Sequence, residues 1–462
     1  MKYTTALLTF AVMMFFANAC ASAREGLSDT QVEQIHQLVE NKFPASGAGA
    51  AVLVLKNNKV IYEQAFGQAV IEFQVPMRTN SLLNLGSITK QFTAVAILML
   101  QEAGKLSLED NIAQYIPEYQ QAHSNIITIK HLLTHTAGIP NYDGKNGYTH
   151  HGTEKDSFEM ILSAFNVVPL EFKPGSNVNY SNSGYILLGR IIEKISKLSY
   201  QEFIATRIFD KLGMKDSQFY DYYSVVPGLA KGYEIEEQAP YNIVHGKAVK
   251  PSLLGDGGIV STLSDLTKWY KALDTNTLIS SQNLALAHSA YILEDGRNTK
   301  VGLGWKVANL GPFKTVEHGG NNHGFENYIL QLPEKQLVVM VFTNLNRSYP
   351  GSLAEKIAAV VTGLPIAEKQ KIALSTEQLD RYTGKYQYAD GDVRSIQREG
   401  DILVSVRNGG QKLQLIPFDN NKFYFADAPV YWLRFEQDKV TGVNTMYSES
   451  RVNPYIKAKQ VL

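Results

Sequence analysis

A short turn that runs directly into a long helix is the most constraining feature of this chain. Residues 86–90 read Gly-Ser-Ile-Thr-Lys, and the residues that follow are good helix formers without proline until Gly104. This pattern predicts a helix that ends near Gly104. Lys90 shares an apolar stripe with Ala94 and Ile97, so we expect its side chain to face the core.

The spacing of Ser87 and Lys90 places both side chains on one face of that helix, one turn apart. A serine hydroxyl is a weak nucleophile until a neighbouring base takes its proton. A lysine serves as that base only in its neutral form, which burial favours. The helix N-terminus also offers unpaired backbone N–H groups that could bind an oxyanion. A serine that caps the helix and an ordinary surface lysine would fit this one pattern too. The choice between these two interpretations therefore depends on other parts of the chain.

The N-terminus is typical of an export signal. Lys2 precedes an apolar run over residues 6–16, which is too short to span a bilayer comfortably. Ala21-Ser22-Ala23 is a small-x-small cleavage site, whereas Cys20 could instead be a lipidation site. We therefore predict a signal peptide at residues 1–23 and an exported, periplasmic protein, with a membrane-anchored lipoprotein as the alternative.

Charge and cysteine content exclude several classes of function. The 462 residues contain 44 Lys and Arg and 44 Asp and Glu, which gives no reason to expect a nucleic acid or an anionic membrane surface as partner. Cys20 is the single cysteine, so the exported protein would have no intramolecular disulfide, thiolate metal cluster or cysteine nucleophile. We expect a small molecule or peptide as substrate and predict no later membrane span.

Strand and helix patterns up to residue 362 predict an antiparallel sheet flanked by helices. Asn57-Asn58 separates two β-rich runs and indicates a hairpin. The apolar run over residues 337–342 predicts a strand in a sheet that is covered on both faces. The segment between Gly104 and Ile243 reads as loops and helices.

Two histidine patterns in that segment could suggest metal binding. His131 and His135 lie four residues apart in a predicted short helix over residues 131–140, but no acidic residue lies between them as in H-E-x-x-H. His150-His151 reads as a solvated loop pair. We therefore predict neither a metal nor a cofactor.

The character of the chain changes after residue 362. Residues 363–376 are polar and predict a linker, and residues 377–462 contain short alternating strands with Gly and Asp turns. We predict a separate, small all-β accessory domain there, without a catalytic constellation of its own.

Several motifs in this order resemble the serine β-lactamase and D,D-peptidase superfamily, specifically the class C β-lactamase-like hydrolases, a group that includes esterases and D-aminopeptidases. The resemblance spans residues 28–362 and implies a hydrolase domain of α+β fold, with a β-lactamase/transpeptidase-like antiparallel sheet and a helical subdomain. The motifs that carry it are Ser87-x-x-Lys90, the His131-to-Gly138 signature, Tyr180-x-Asn182 and His318-Gly319-Gly320.

The resemblance implies a role for each motif residue. Ser87 would attack a carbonyl carbon and form an acyl-enzyme, and Lys90, with Tyr180, would take the serine proton. Asn182 would hydrogen-bond the substrate or Lys90. The substrate-binding and oxyanion residues would be Asn182, His318, Gly319, Gly320 and Asn321, with the backbone N–H groups of Ser87 and Asn321 forming the oxyanion hole.

The third motif departs from the K-T-G pattern of β-lactam-acting relatives. His318 stands at the lysine position and is only partly charged near neutral pH, and Gly319 has no hydroxyl. The sequence therefore favours an ester or a D-amino-acid-type peptide as substrate. A class C-like β-lactamase and a non-hydrolytic protein that binds penicillin or cell-wall fragments are the alternatives.

Overall fold

The structure is a computed structural model that describes residues 26–119, 124–142, 158–220, 225–236, 239–243, 254–322, 324–366, 369–388, 391–426, 428–438, 441–453 and 456–461. The predicted signal peptide, the lipidation candidate Cys20 and the His150-His151 pair lie outside these ranges. No helix within them is both long and apolar enough to cross a bilayer.

Helices and strands alternate irregularly in the first two-thirds of the chain, and strands dominate the last third. The helices are α1 (Asp29–Glu40), α2 (Thr89–Glu102), α3 (Ile129–Leu133), α4 (Phe158–Val167), α5 (Asn182–Ser196), α6 (Tyr200–Ile204), α7 (Asp210–Leu212), α8 (Leu263–Asp274), α9 (Ser281–Ala287), α10 (Pro350–Thr362) and α11 (Thr376–Asp380). The strands are β1 (Ala50–Lys56), β2 (Lys59–Phe66), β3 (Gln68–Val70), β4 (Val75–Pro76), β5 (Leu83–Asn84), β6 (Gln218–Phe219), β7 (Tyr233–Glu236), β8 (Ala239–Ile243), β9 (Ile259–Ser261), β10 (Lys306–Leu310), β11 (Phe313–Asn322), β12 (Phe325–Leu332), β13 (Leu337–Thr343), β14 (Gly384–Tyr388), β15 (Val393–Glu399), β16 (Ile402–Arg407), β17 (Lys412–Asp419), β18 (Lys422–Phe425), β19 (Ala428–Gln437), β20 (Asn444–Ser450) and β21 (Ile456–Val461).

A six-stranded antiparallel sheet forms the centre of the domain predicted over residues 28–362, in the order β10-β11-β12-β13-β1-β2. The predicted hairpin joins β1 to β2, and Asn57 and Asn58 both have the positive φ that a tight hairpin turn requires. Every residue of β13 is buried, which confirms that the sheet is covered on both faces.

Two hydrophobic cores lie on the two faces of this sheet. One contains residues of α2, α5 and α8 together with Met340 and Phe342 of β13. The other contains residues of α1 and α10 together with Val339 and Val341 of the same strand. Because successive side chains of a strand point to opposite faces, one apolar strand contributes to both cores. The predicted α+β fold is confirmed.

The short helix predicted over residues 131–140 is wrong in its length. α3 ends at Leu133, and His135 has a positive φ of 58°, which no helix can contain. Gly138, also at positive φ, would place a Cβ 2.2 Å from the carbonyl oxygen of Phe172. The chain therefore turns away from the helix axis, and His131 and His135 do not share a helical face.

The C-terminal strands β14 to β21 close into an antiparallel barrel, which confirms the separate all-β domain. Its interior is a third core, and the largest buried members include Tyr386, Phe423, Phe435 and Met446. α11 begins at Thr376, at the end of the segment predicted as a linker. The domain boundaries given above stay predictions.

Candidate active site

Ser87 lies in a single 3-10 turn, Gly86–Ile88, that leads directly into α2. Ser87 is the one residue between 81 and 98 that is not buried. Gly86 has a φ of 53°, and its backbone N–H donates to Oδ1 of Asn84 over 3.0 Å. The turn is therefore fixed inside the protein while Ser87 itself stays partly exposed.

Lys90 is buried, as its apolar stripe predicted, with no exposed surface. Its Nζ donates to Ser87 Oγ over 3.2 Å, to Asn182 Oδ1 over 2.8 Å and to the backbone oxygen of Asp256 over 2.8 Å. These three acceptors come from three separate parts of the chain. They hold the amine within hydrogen-bonding distance of the hydroxyl that it would have to activate.

Tyr180 is the residue before Ser181, the N-cap of α5, and its side chain lies at the site. Its ring centroid lies 5.0 Å from Lys90 Nζ and 4.4 Å from the ring centroid of His135. The backbone N–H of Ser181 donates to Nδ1 of His135 over 3.1 Å, which ties this turn to the end of α3. The structure thus brings Ser87, Lys90 and Tyr180 together.

Asn182 is the first residue of α5, and its orientation depends on a residue that sequence reasoning missed. Asn141 accepts from the backbone N–H of Asn182 over 2.5 Å and donates to the backbone oxygen of Tyr180 over 3.0 Å. Asn141 therefore holds both motif residues at once. Its position after a Gly-Ile-Pro turn was the only signal in the sequence.

The carbonyl of Asp256 is a second missed contributor. The glycine-rich turn around it was visible in the sequence, and Gly255 has a φ of 133°. A Cβ on Gly255 would lie 2.3 Å from the carbonyl oxygen of Tyr185. Glycine allows the turn to pack against α5 closely enough for the Asp256 carbonyl to reach Lys90.

β11 brings His318, Gly319, Gly320 and Asn321 alongside the Ser87 turn. An ideal Cβ on Gly320 would lie only 1.8 Å from the Leu85 carbonyl oxygen. An ideal Cβ on Gly86 would lie 2.8 Å from the backbone nitrogen of Asn321. The two backbones are therefore in direct contact, as an oxyanion hole built from the N–H groups of Ser87 and Asn321 would require. That role of the two groups stays a prediction.

Gly320→Ala is expected to lower the free energy of unfolding by about 1–3 kcal/mol and to slow labelling of Ser87 by a fluorophosphonate probe, because β11 must move away from the Ser87 turn. Gly319→Ala is the matched control, since the atom nearest to its Cβ would be in the Tyr328 ring, at 3.1 Å. Chemical denaturation and labelling rates measure both effects. A larger loss in Gly319→Ala would show that the close approach at Gly320 is not what matters.

The charge state of His318 differs from the partial charge expected from the sequence. Burial and the positive charges of Lys306 and Lys90 lower the pKa of His318 to about 3. Its Nδ1 lies 2.6 Å from the backbone oxygen of Gly319. Burial likewise lowers the pKa of His135 well below its usual range. Both imidazoles are neutral at physiological pH.

We expect no inflection near pH 6.5 from His318 in the pH profile of the rate. Its folded-state pKa lies below the unfolded value of about 6.5, so the unfolded chain takes up the proton first, and this group costs stability as the pH falls from about 6.5 towards 3. The kcat/KM profile of His318→Asn between pH 5 and 9 should keep the wild-type shape, whatever its amplitude. An inflection near 6.5 that only the wild type shows would contradict this prediction.

Lys306, the first residue of β10, is a further cation near the site, and it was not predicted from the sequence. Its Nζ lies 5.9 Å from the Tyr180 ring centroid. Burial, together with the charge of Lys90, lowers the pKa of Lys306 to about 8. Nothing in the sequence marks this residue, because only the strand register brings it beside the third motif. The described parts of the chain contain no group of three or more His, Cys, Asp or Glu residues that could hold a metal ion.

Comparison with known proteins gives relatives of similar architecture. Penicillin-binding protein 4* of Bacillus subtilis is 29% identical over 403 residues, which cover 82% of this chain and 88% of the relative. A solved octameric penicillin-binding protein homologue from Pyrococcus abyssi matches with a TM-score of 0.66 and 24% identity, and it covers 93% of this chain and 100% of that one. A D-stereospecific amidohydrolase from Streptomyces matches with a TM-score of 0.61 and 21% identity over 73% of this chain and 99% of that one.

The family assignment rests on the sequence profile, because likenesses at such low identity establish only the fold. The profile described as Beta-lactamase matches residues 37–362, which is more than half of the chain. The matched range contains every residue of the site described above. The chain therefore belongs to the Beta-lactamase family of serine hydrolases.

Proposed function

We propose that this protein forms an acyl-enzyme on Ser87 and hydrolyses an ester or a D-amino-acid-type amide bond. The observation that carries the proposal is the 3.2 Å contact between Ser87 Oγ and Lys90 Nζ, in a place where the serine is accessible and the amine is buried. A nucleophile and its base within one hydrogen bond are what acyl transfer requires.

The proposed reaction has two steps. In the reactive form of the site, Lys90 has lost to solvent the proton that it donates to Ser87 Oγ in the structure. Ser87 Oγ then forms a bond to the substrate carbonyl carbon while its proton passes to the freed lone pair of Lys90 Nζ or, alternatively, to Tyr180 acting as a phenolate, and the oxyanion is held by the backbone N–H groups of Ser87 and Asn321. The tetrahedral intermediate then expels the alcohol or amine, which takes that proton. In the second step water attacks the acyl-enzyme, the same base accepts its proton, and Ser87 is regenerated as the acid leaves.

The third motif argues for esters and D-amino-acid amides rather than β-lactams. Gly319 has no hydroxyl, and the neutral imidazole of His318 cannot replace the lysine that helps β-lactam-acting relatives to hold the substrate carboxylate. Similarity to the D-stereospecific amidohydrolase from Streptomyces supports the choice of D-amino-acid substrates. A class C-like β-lactamase is the second candidate, and the match to a Beta-lactamase profile favours it.

A non-hydrolytic binding protein is the third candidate. It would need neither a reactive serine nor a base beside it, and the contact between Ser87 and Lys90 argues against it. Intact-mass spectrometry after incubation with a fluorophosphonate probe separates the cases. The absence of an adduct on Ser87 would favour the binding protein.

A substrate panel on protein without residues 1–23 tests the proposal. The panel contains p-nitrophenyl acetate, D-alanine p-nitroanilide with its L-enantiomer, and nitrocefin. We expect kcat/KM for the ester or the D-anilide to exceed that for nitrocefin by at least about tenfold, and the D-anilide to be preferred over the L-anilide. Faster hydrolysis of nitrocefin than of the other compounds would contradict the proposal and favour a class C-like β-lactamase.

We also propose that the protein is exported to the periplasm. This proposal rests on the signal-like residues 1–23, with lipidation at Cys20 as the alternative. The mass of the mature protein from expressing cells distinguishes a chain that starts at Arg24 from one that starts at acylated Cys20. A chain that retains Met1 would overturn both.

A further inference from the structure

One edge of the strand that carries the third motif is open beside the nucleophile. β10 pairs with β11 only as far as Glu317, whereas β12 follows β11 to Asn322. Within the described part of the chain, no strand pairs with the remaining edge of residues 318–322. Lys306 is the first residue of β10, so it stands where the open edge begins.

Glu317 is the cross-strand neighbour of Lys306, but its carboxylate is already satisfied. Arg451 donates from Nη1 to Oε1 over 2.7 Å and from Nη2 to Oε2 over 2.6 Å. The hydroxyls of Thr315 and Tyr328 donate to the same two oxygens over 2.5 Å and 2.7 Å. These four bonds occupy the lone pairs of a carboxylate that has no exposed surface. Arg451, and not Lys306, is therefore its direct ion-pair partner.

The C-terminal barrel supplies that arginine from the barrel loop, residues 450–453, which begins at the last residue of β20. Lys300 Nζ donates to three backbone oxygens of the barrel loop, those of Ser450, Arg451 and Asn453, over 3.2–3.4 Å. Arg451 also donates to Oε1 of Glu355 in α10 over 2.8 Å. The barrel loop is thus fixed to the rest of the protein at two further points, Lys300 and Glu355.

The same loop holds Lys306. The side-chain oxygen of Asn453 accepts a hydrogen bond from Lys306 Nζ, and it is the one acceptor of that amine among the residues that the structure describes. An ammonium group has three donors, so two remain for a ligand. With a pKa of about 8, Lys306 is mostly cationic at neutral pH. Lys90, by contrast, already has three acceptors.

We propose that Lys306, positioned by Asn453 of the C-terminal barrel, binds a carboxylate of the substrate at the open edge of β11. Because Lys306 belongs to β10 and does not occupy the position of the lysine missing from the third motif, the carboxylate that it binds would lie at a different place from that of a β-lactam. The barrel is then a part of the active site: Asn453 aims the cation, and Arg451 keeps it from pairing with Glu317. This inference rests on the proposed hydrolase function and adds to it a preference for substrates that carry a carboxylate close to the scissile bond.

A matched pair of esters tests the inference on the full mature chain. Phenyl acetate and 3-carboxyphenyl acetate differ by one carboxylate on the leaving group. We expect the wild type to prefer the charged ester in kcat/KM by about tenfold or more, which corresponds to one good ion pair in a partly buried site. Lys306→Met should lose that preference through a higher KM while hydrolysis of phenyl acetate stays within about twofold, and Lys306→Arg should restore most of it.

Two further variants separate a positioning role from a purely structural one. Asn453→Ala should lower the preference for the charged ester by several-fold without changing the rate on phenyl acetate. Lys314→Met removes a lysine from the far end of β11 and should leave the preference unchanged.

Two outcomes would overturn the inference alone: equal losses on both esters in Lys306→Met, or a wild type that hydrolyses both without preference. If the wild type hydrolyses neither ester and Ser87 takes no fluorophosphonate label, the proposed function fails, and the inference that rests on it fails too.

Discussion

Ser87→Ala is expected to lower kcat on p-nitrophenyl acetate by at least about 10³-fold, to the level that binding and oxyanion contacts alone provide. The variant has no oxygen with which to form the acyl-enzyme. We expect its thermal midpoint to stay close to that of the wild type, because Ser87 is partly exposed and its side chain makes one described hydrogen bond, the one from Lys90.

Ser181→Ala is the matched control for this variant. Ser181 lies next to Tyr180, and its Oγ is buried without a hydrogen-bond partner among the described residues. Removing that hydroxyl deletes no described contact, so the rate should stay within about twofold of the wild type. Activity in Ser87→Ala close to that of Ser181→Ala would refute the assignment of the nucleophile.

Lys90→Met is expected to lower kcat by about 10²- to 10⁴-fold, since the serine would lose the amine that takes its proton. It should also destabilise the fold by about 1–3 kcal/mol, because the Asn182 side-chain oxygen and the Asp256 carbonyl would lose their common donor. Steady-state rates measure the first effect, and chemical denaturation measures the second.

Tyr180→Phe distinguishes the two possible bases. We expect its kcat to fall by orders of magnitude as well, and we expect the double variant to be little worse than Lys90→Met, since groups that act as one unit are not additive. If Lys90→Met kept most of the wild-type rate, the lysine would not be the base. In that case a large loss in Tyr180→Phe would transfer the role to the phenol.

Sequence alone predicted those parts of the site that depend on local structure. Ser87 and Lys90 meet because residues three apart on a helix share a face, and the apolar stripe of α2 predicts a buried lysine. Tyr180 and Asn182 come from a different part of the chain. Their position next to Lys90 was implied only by resemblance to a family, because no local pattern encodes a contact across 90 residues.

Contacts made by backbone groups and by strand register were beyond sequence reasoning. The Asp256 carbonyl binds Lys90 through an atom that every residue possesses, so no residue type marks it. Lys306 reaches the site because β10 begins at that residue, and strand ends are poorly predicted from sequence. The helix predicted over residues 131–140 was too long for a similar reason. The positive φ of His135, which lies beyond the end of α3, is not encoded by a local sequence pattern.

Labelling with a fluorophosphonate probe followed by peptide mapping tests the central claim most directly. We predict a single adduct on the peptide that contains Ser87 in the wild type, the same adduct at a much lower rate in Lys90→Met, and no adduct in Ser87→Ala. A wild-type chain that stays unlabelled, or one that carries the adduct on another residue, would contradict the account.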